Sequence, residues 1–199
     1  MAGILIVAPH ADDEVLGCGG VAAMGGEIRW LVCADEKKPH DEVNAFFDFS
    51  EMFKMNLPDG RFDEHSFGNI VKGIADVVHS VKPDVVYMPF YKDVHSDHRI
   101  IADAVSAVCK PFRAPFVKIL LMYEVLTQTN LSMESFVPNY FVDITPYMDR
   151  KIEAIKIYGD ELMNMARGQK EVEALAIYRG SFINVQYAEA FQVVRIISG

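Results

Sequence analysis

Two short clusters hold the side chain types from which a hydrolytic metal site is made: Pro9-His10-Ala11-Asp12-Asp13-Glu14 and Asp93-Val94-His95-Ser96-Asp97-His98. A catalytic zinc takes three protein ligands of nitrogen or oxygen type and keeps one position open for water. His10 and His98 with one of the adjacent aspartates, Asp12 or Asp13, supply two nitrogens and one oxygen. The other aspartate, beside a ligand but pointing elsewhere, is free to take a proton from water. His95 remains to stabilise an oxyanion or protonate a leaving group, and Asp97 can bond an imidazole and fix its tautomer. Asp93 shares the loop of the second cluster, and Glu124 follows an apolar segment. Both are expected at the pocket mouth, where a carboxylate accepts hydrogen bonds from substrate hydroxyls.

These residues converge only if the fold brings both clusters to one edge. Gly3 to Ala8 is a continuous apolar run ended by Pro9, the pattern of a parallel strand covered on both faces. Helix is expected over 14–24, with Asp12 and Asp13 at its start and Gly25-Gly26 after it. Strand follows over 28–33, and apolar residues at near-helical spacing run from Val43 to Phe53. An amphipathic helix over 70–81 stops before Pro83, a strand covers 85–88, and helix resumes over 100–109. The second half reads as strands over 116–123 and 140–144, helices over 146–165 and 171–178, and a closing strand over 191–197. Alternating strands and helices predict an α/β, Rossmann-like fold whose largely parallel sheet is covered by helices on both faces. Each cluster then follows a strand, at the carboxyl edge where open α/β sheets bind ligands. A capping role explains the acidic residues of either cluster alone; it does not explain both at one edge.

Composition narrows the partners. The chain has 199 residues, 51% hydrophobic and 24% charged, as an ordinary globular protein has. No linker, repeat or low-complexity tract divides it, so residues 1–199 read as a single domain. Nineteen basic against 28 acidic residues give a net charge of −9, which disfavours nucleic acid and anionic lipid as partners. The N-terminal apolar run is too short for the ~20 residues of a membrane span. Cys18, Cys33 and Cys109 form no C-x-x-C pair, which fits a reducing cytoplasm. Gly17-Cys18-Gly19-Gly20 is not a dinucleotide fingerprint, and close helix–sheet packing is its expected role. His40, His65 and His79 lack a carboxylate–histidine pattern and are expected at the surface.

The segment P-H-A-D-D-E-V-L-G-C-G-G at 9–20 resembles the P-H-P-D-D-E signature of the LmbE-like, or PIG-L, zinc-dependent de-N-acetylases. H-S-D-H at 95–98 resembles that family's second metal motif, H-x-D-H, and L-P-D-G at 57–60, Y-R-G at 178–180 and Y-A-E-A-F at 187–191 extend the likeness. The resemblance implies a Rossmann-like fold and removal of an N-acetyl group from an amino-sugar conjugate by metal-activated water. It implies His10, Asp13 and His98 as ligands of Zn2+, a set also compatible with another divalent transition metal. Asp12 then becomes the general base, His95 the electrostatic stabiliser or general acid, and Asp97 the residue orienting His95. Ala11 stands where the signature has proline, and Ala34-Asp35-Glu36-Lys37-Lys38 lacks the arginine-containing pattern of many sugar-binding members. The resemblance makes a small-molecule amino-sugar conjugate the expected partner. A homo-oligomer is compatible with such an enzyme, although no segment marks an interface.

Two rival readings use the same residues. A metal-dependent hydratase or lyase acting on an unsaturated carboxylic acid needs the same water activation and a cationic pocket. A binding protein with a purely structural metal needs a closed four-ligand site.

Overall fold

The computed structural model describes residues 3–198. Strand β1 (Ile4–Ala8) is apolar throughout because both of its faces are covered. Leu5 and Val7 enter one core with Ile70, Ile74 and Ile101, while Ile6 and Ala8 enter the other with Val15, Leu16 and Ile152. The first core lies under α3 (Phe67–Val81) and α4 (Ser96–Val108). The second lies under α1 (Asp13–Ala23), α2 (His40–Phe47), α5 (Met148–Ile157) and α7 (Gln169–Gly180).

The seven strands form one sheet. Besides β1 they are β2 (Ile28–Asp35), β3 (Glu51–Pro58), β4 (Val85–Pro89), β5 (Ile119–Tyr123), β6 (Tyr140–Asp143) and β7 (Ala188–Ile196), in the order β3-β2-β1-β4-β5-β7-β6. The pairs from β3 to β5 are parallel, and β7 runs antiparallel to both β5 and β6. The chain leaves β1 towards β2 and β3, then returns past β1 to β4. Successive connections therefore depart from β1 and β4 in opposite directions, which opens a crevice at their carboxyl ends. His10 follows β1 and Asp93 follows β4, so both clusters border that crevice.

Glycines set the position of α1 on the sheet. A Cβ at Gly17 would run into the Tyr123 ring, and one at Gly20 would run into the Ile144 side chain. The packing role expected of these glycines is the one they have. The Tyr123 hydroxyl donates to Val7 O at 2.9 Å, tying β5 to β1 beneath the helix start that carries Asp12 and Asp13.

Two expectations about local structure change. The apolar spacing from Val43 to Phe53 predicts one helix, but Asp48 at φ 54° ends α2 and the chain continues as edge strand β3. Pairing of Trp30 with Met52 and Leu31 with Phe53 outweighs the helical spacing of those residues. The helix expected over 146–165 is divided at Gly159 (φ 70°) into α5 and α6 (Asp160–Asn164). Among the described residues, no helix is long and apolar enough to cross a membrane.

Candidate active site

At the crevice, His10 Nδ1, Asp13 Oδ2 and His98 Nε2 form a nearly equilateral triangle. His10 lies 3.4 Å from Asp13 and 3.3 Å from His98, and His98 lies 3.2 Å from Asp13. A tetrahedral zinc-type ion with bonds of about 2.0–2.1 Å has ligand-to-ligand edges of about 3.3–3.4 Å. Asp13 is fully buried, and its Oδ1 has no hydrogen-bond partner among the described residues. Two imidazoles and an under-satisfied buried carboxylate at these separations fit a divalent transition metal.

The ring nitrogens facing away from the triangle meet carboxylates. His98 Nδ1 lies 3.3 Å from Asp93 Oδ2. His10 Nε2 lies 3.3 Å from Asp97 Oδ2 and 3.2 Å from Asp59 Oδ1. Carboxylates so placed fix the tautomer and orientation of metal-binding histidines. Burial opposes a charge on either ring, but Asp13, Asp97 and Glu36 raise His10 to about 11, and Asp13 and Asp93 raise His98 to about 9. A cation at the triangle takes the place of those protons.

Three expected placements are corrected here. Asp93 is not at the pocket mouth: it is buried behind His98, where it also accepts from Thr129 Oγ1 at 2.8 Å. The Asp97 carboxylate faces His10 rather than His95 and accepts from the backbone N–H groups of Gly60 and Phe62. It thereby anchors the L-P-D-G turn against the site and brings Asp59 to His10. Glu124 lies apart from the crevice, where Arg179 Nε and Nη2 each donate to its carboxylate at 2.7 Å. It does stand just past the end of a strand, but a neighbouring arginine claims the side chain.

Asp12 and Asp13 are adjacent and chemically identical, yet their environments differ. Asp12 has φ 137°, which is strained for a residue with a Cβ. Its N–H donates to Glu14 Oε2 at 3.0 Å, its carbonyl accepts from Leu16 N at 2.8 Å, and the Tyr158 hydroxyl donates to Glu14. The strained turn separates the two carboxylates. Asp13 faces the histidines, which hold it well below the usual carboxylate range against the effect of burial. Asp12 lines the cleft, and burial together with the Asp13 charge pushes it to about 7, opposed by Lys38, Arg167 and His10.

His95 lies beside the triangle, its ring centre 4.6 Å from that of His10 and 5.0 Å from that of His98. Burial and the two neighbouring imidazoles lower its pKa, favouring the neutral ring. The backbone N–H of Asp97 donates to His95 Nδ1 at 3.2 Å. In the neutral ring that leaves the proton on Nε2, available as a donor.

The resulting cleft has a volume of about 160 Å³. It is lined by His10, Asp12, Asp13, Asp59, His95 and His98 and, beyond the expected residues, by Glu36, Lys38, Gln128, Met165 and Arg167. Glu36 and Lys38 follow β2 at the same sheet edge, a position that offered a signal. Arg167 offered none, since it lies on a turn after α6 with no motif around it. Among the other histidines, His65 and His79 are exposed as expected, but His40 is buried and stacks on Trp30 at 5.9 Å.

The fold is shared with solved structures. The conserved protein TT1542 from Thermus thermophilus matches with a TM-score of 0.81 at 23% identity, covering 100% of this chain and 97% of that one. GalB, the 4-carboxy-2-hydroxymuconate hydratase from Pseudomonas putida KT2440, matches with a TM-score of 0.77 at 18% identity, covering 100% and 99%. The N,N'-diacetylchitobiose deacetylase from Pyrococcus horikoshii matches with a TM-score of 0.73 at 20% identity, covering 97% and 84%. At these identities the likeness is one of fold. The sequence profile described as PIG-L, GlcNAc-PI de-N-acetylase, matches residues 5–109, a span that includes both clusters and more than half of the chain. The chain belongs to the PIG-L family.

Proposed function

We propose that this protein is a zinc-type metal-dependent hydrolase that removes the acetyl group from an N-acetylated amino-sugar conjugate. The observation that carries the reading is the triangle of His10, Asp13 and His98 beside Asp12, opening on a cleft. These three residues would hold the ion, which when bound supplies Lewis acidity and lowers the pKa of water. Asp12, with a pKa near 7, is suited to accept a proton from the attacking water and return it to the departing amine. His95 Nε2–H offsets the charge that develops on the acetamide oxygen. Asp93 and Asp97 orient His98 and His10, and Asp97 also holds the 57–60 turn in place. The opening of the triangle onto a cleft speaks against a purely structural metal.

One observation favours the hydratase reading, which is the presence of Lys38 and Arg167 in the cleft. The two readings separate in one experiment. The zinc-loaded protein is incubated with a panel of N-acetylglucosamine conjugates and unsaturated dicarboxylic acids, and metal content is measured on the same sample. Acetate release in proportion to bound metal is the expected result. Hydration of a dicarboxylic acid without acetate release would replace the proposed function with the alternative.

A further inference from the structure

Arg167 is one of the cleft residues that the proposed chemistry leaves unused. Its side chain belongs to a residue only 6% exposed. Ala166 at φ 55° reverses the chain after α6, and Arg167 N donates to Leu162 O at 2.9 Å, so the residue turns back towards the cleft it lines. Its Nε donates to Thr127 Oγ1 at 2.7 Å. Among the described residues, Nη1 and Nη2 have no hydrogen-bond or ion-pair partner. The residue is thus nearly buried and held by its Nε, while the other two nitrogens are left for an acceptor bound in the cleft.

We infer that Arg167 binds an anionic group of the substrate, a carboxylate or a phosphate, so that the conjugate deacetylated here is an acidic one. The inference rests on the proposed hydrolysis for the identity of the rest of the substrate. The guanidinium presents two parallel N–H donors, which match the two oxygens of a carboxylate or phosphate. Its position also sets direction. The cleft is also lined by Asp12, Asp13, Glu36 and Asp59, which repel an anion, so an acidic group is drawn towards the cations of the lining, Arg167 and Lys38, and the acetamide is left for the triangle. Thr127, itself at φ 62°, fixes Nε and so aims the fork.

Three probes that share the sugar test this: methyl N-acetylglucosaminide, carboxymethyl N-acetylglucosaminide and N-acetylglucosamine 1-phosphate. Binding of the corresponding free amines to the zinc-loaded enzyme is measured by calorimetry, and kcat and KM are measured on the acetylated forms. Wild type is expected to bind at least one acidic amine about 10- to 100-fold more tightly than the neutral one. Whichever acid is preferred identifies carboxylate or phosphate. R167Q should erase that preference and raise KM for the acidic conjugate alone, R167K should restore part of it, and T127V should weaken it to a lesser degree. Equal binding of all three amines by wild type would overturn the inference. So would an R167Q enzyme with unchanged affinities and an equal loss of kcat on every conjugate, because Arg167 would then act only on the charge of Asp12. If no conjugate releases acetate while binding keeps an Arg167-dependent preference for the acid, the hydrolysis reading fails and this inference stands. Unfolding temperatures of R167Q and R167K separate these effects from loss of the fold.

Discussion

Two groups of residues that line the cleft are put in place in different ways. His10, Asp12, Asp13, His95 and His98 come from the ends of adjacent parallel strands and the first turns of α1 and α4. Their positions follow from where the strands end, and within each of the two clusters their spacing in the chain is short. Gln128, Met165 and Arg167 come from loops of the second half, where Thr127 and Ala166 have left-handed backbones. A sheet edge fixes reacting groups to within fractions of an ångström, whereas turns vary without disturbing the strands. In the proposed reaction the first group would carry the chemistry, and the second is where the substrate would be chosen.

The largest effects should come from the first group, and they should differ between neighbouring residues. D13A removes a corner of the triangle, so metal content and turnover are expected to fall together. D12N leaves the triangle intact, so metal should stay near wild type while kcat falls about 10²–10⁴-fold. Turnover and metal stoichiometry measured on both variants check this. A D12N protein that loses its metal, or keeps full turnover, removes Asp12 from the role of base.

His95 comes next. H95A deletes the proposed Nε2 donor and should lower kcat about 10²–10³-fold with little change in KM. H95Q keeps an N–H donor and should recover part of the loss. Equal kcat in H95A and H95Q would show that a donor at this position is not what matters.

Much of the first group was legible because its signals are local. A buried strand, a proline and an acidic helix start stand together at 4–14, and the second cluster repeats the arrangement after β4. The order of the strands was not legible, yet it is the return of the chain past β1 that brings the two clusters together. Edge strand β3 was hidden because much of it is not buried and its apolar positions also fit a helix. Arg167 was hidden because its placement depends on the backbone of Ala166, an alanine in a conformation that its sequence does not announce. Likewise, nothing in the chain around Glu124 foretold that Arg179 would pair with it.

Behind the triangle the effects should be smaller. Asp93 Oδ2 stands 3.3 Å from His98 Nδ1 and in the proposed site would orient that ring, so D93N is expected to weaken metal binding about 10- to 100-fold, as measured by competition with a chelator. The metal-free rings are expected to titrate high, His10 at about 11 and His98 at about 9. Both therefore carry protons at neutral pH, and an ion must displace them. The sign follows: apparent metal affinity rises steeply with pH up to about 9, where His98 loses its proton, and less steeply from there to about 11, where His10 does, and binding near pH 7 releases protons. Calorimetry in two buffers of different ionisation enthalpy counts those protons. A count of zero would place the ion elsewhere.

The smallest catalytic effect is expected from Glu124, and it sharpens the contrast between two arginines of the second half. Arg179 donates twice to Glu124, and both side chains are about one-tenth exposed. Arg167 lines the cleft with its fork unpaired. E124A strands the Arg179 guanidinium in a largely buried site, which should cost about 3 kcal/mol of stability. Because Glu124 lies outside the cleft, kcat and KM should remain within about twofold of wild type. Adding R179A removes the stranded charge as well, so the double variant is expected to regain part of the lost stability. Chemical unfolding of the two single variants and the double variant, with kinetics on the same preparations, gives the whole cycle. A KM raised selectively in E124A, with stability unchanged, would return Glu124 to the substrate pocket and end the distinction between a paired structural arginine and an unpaired recognition arginine.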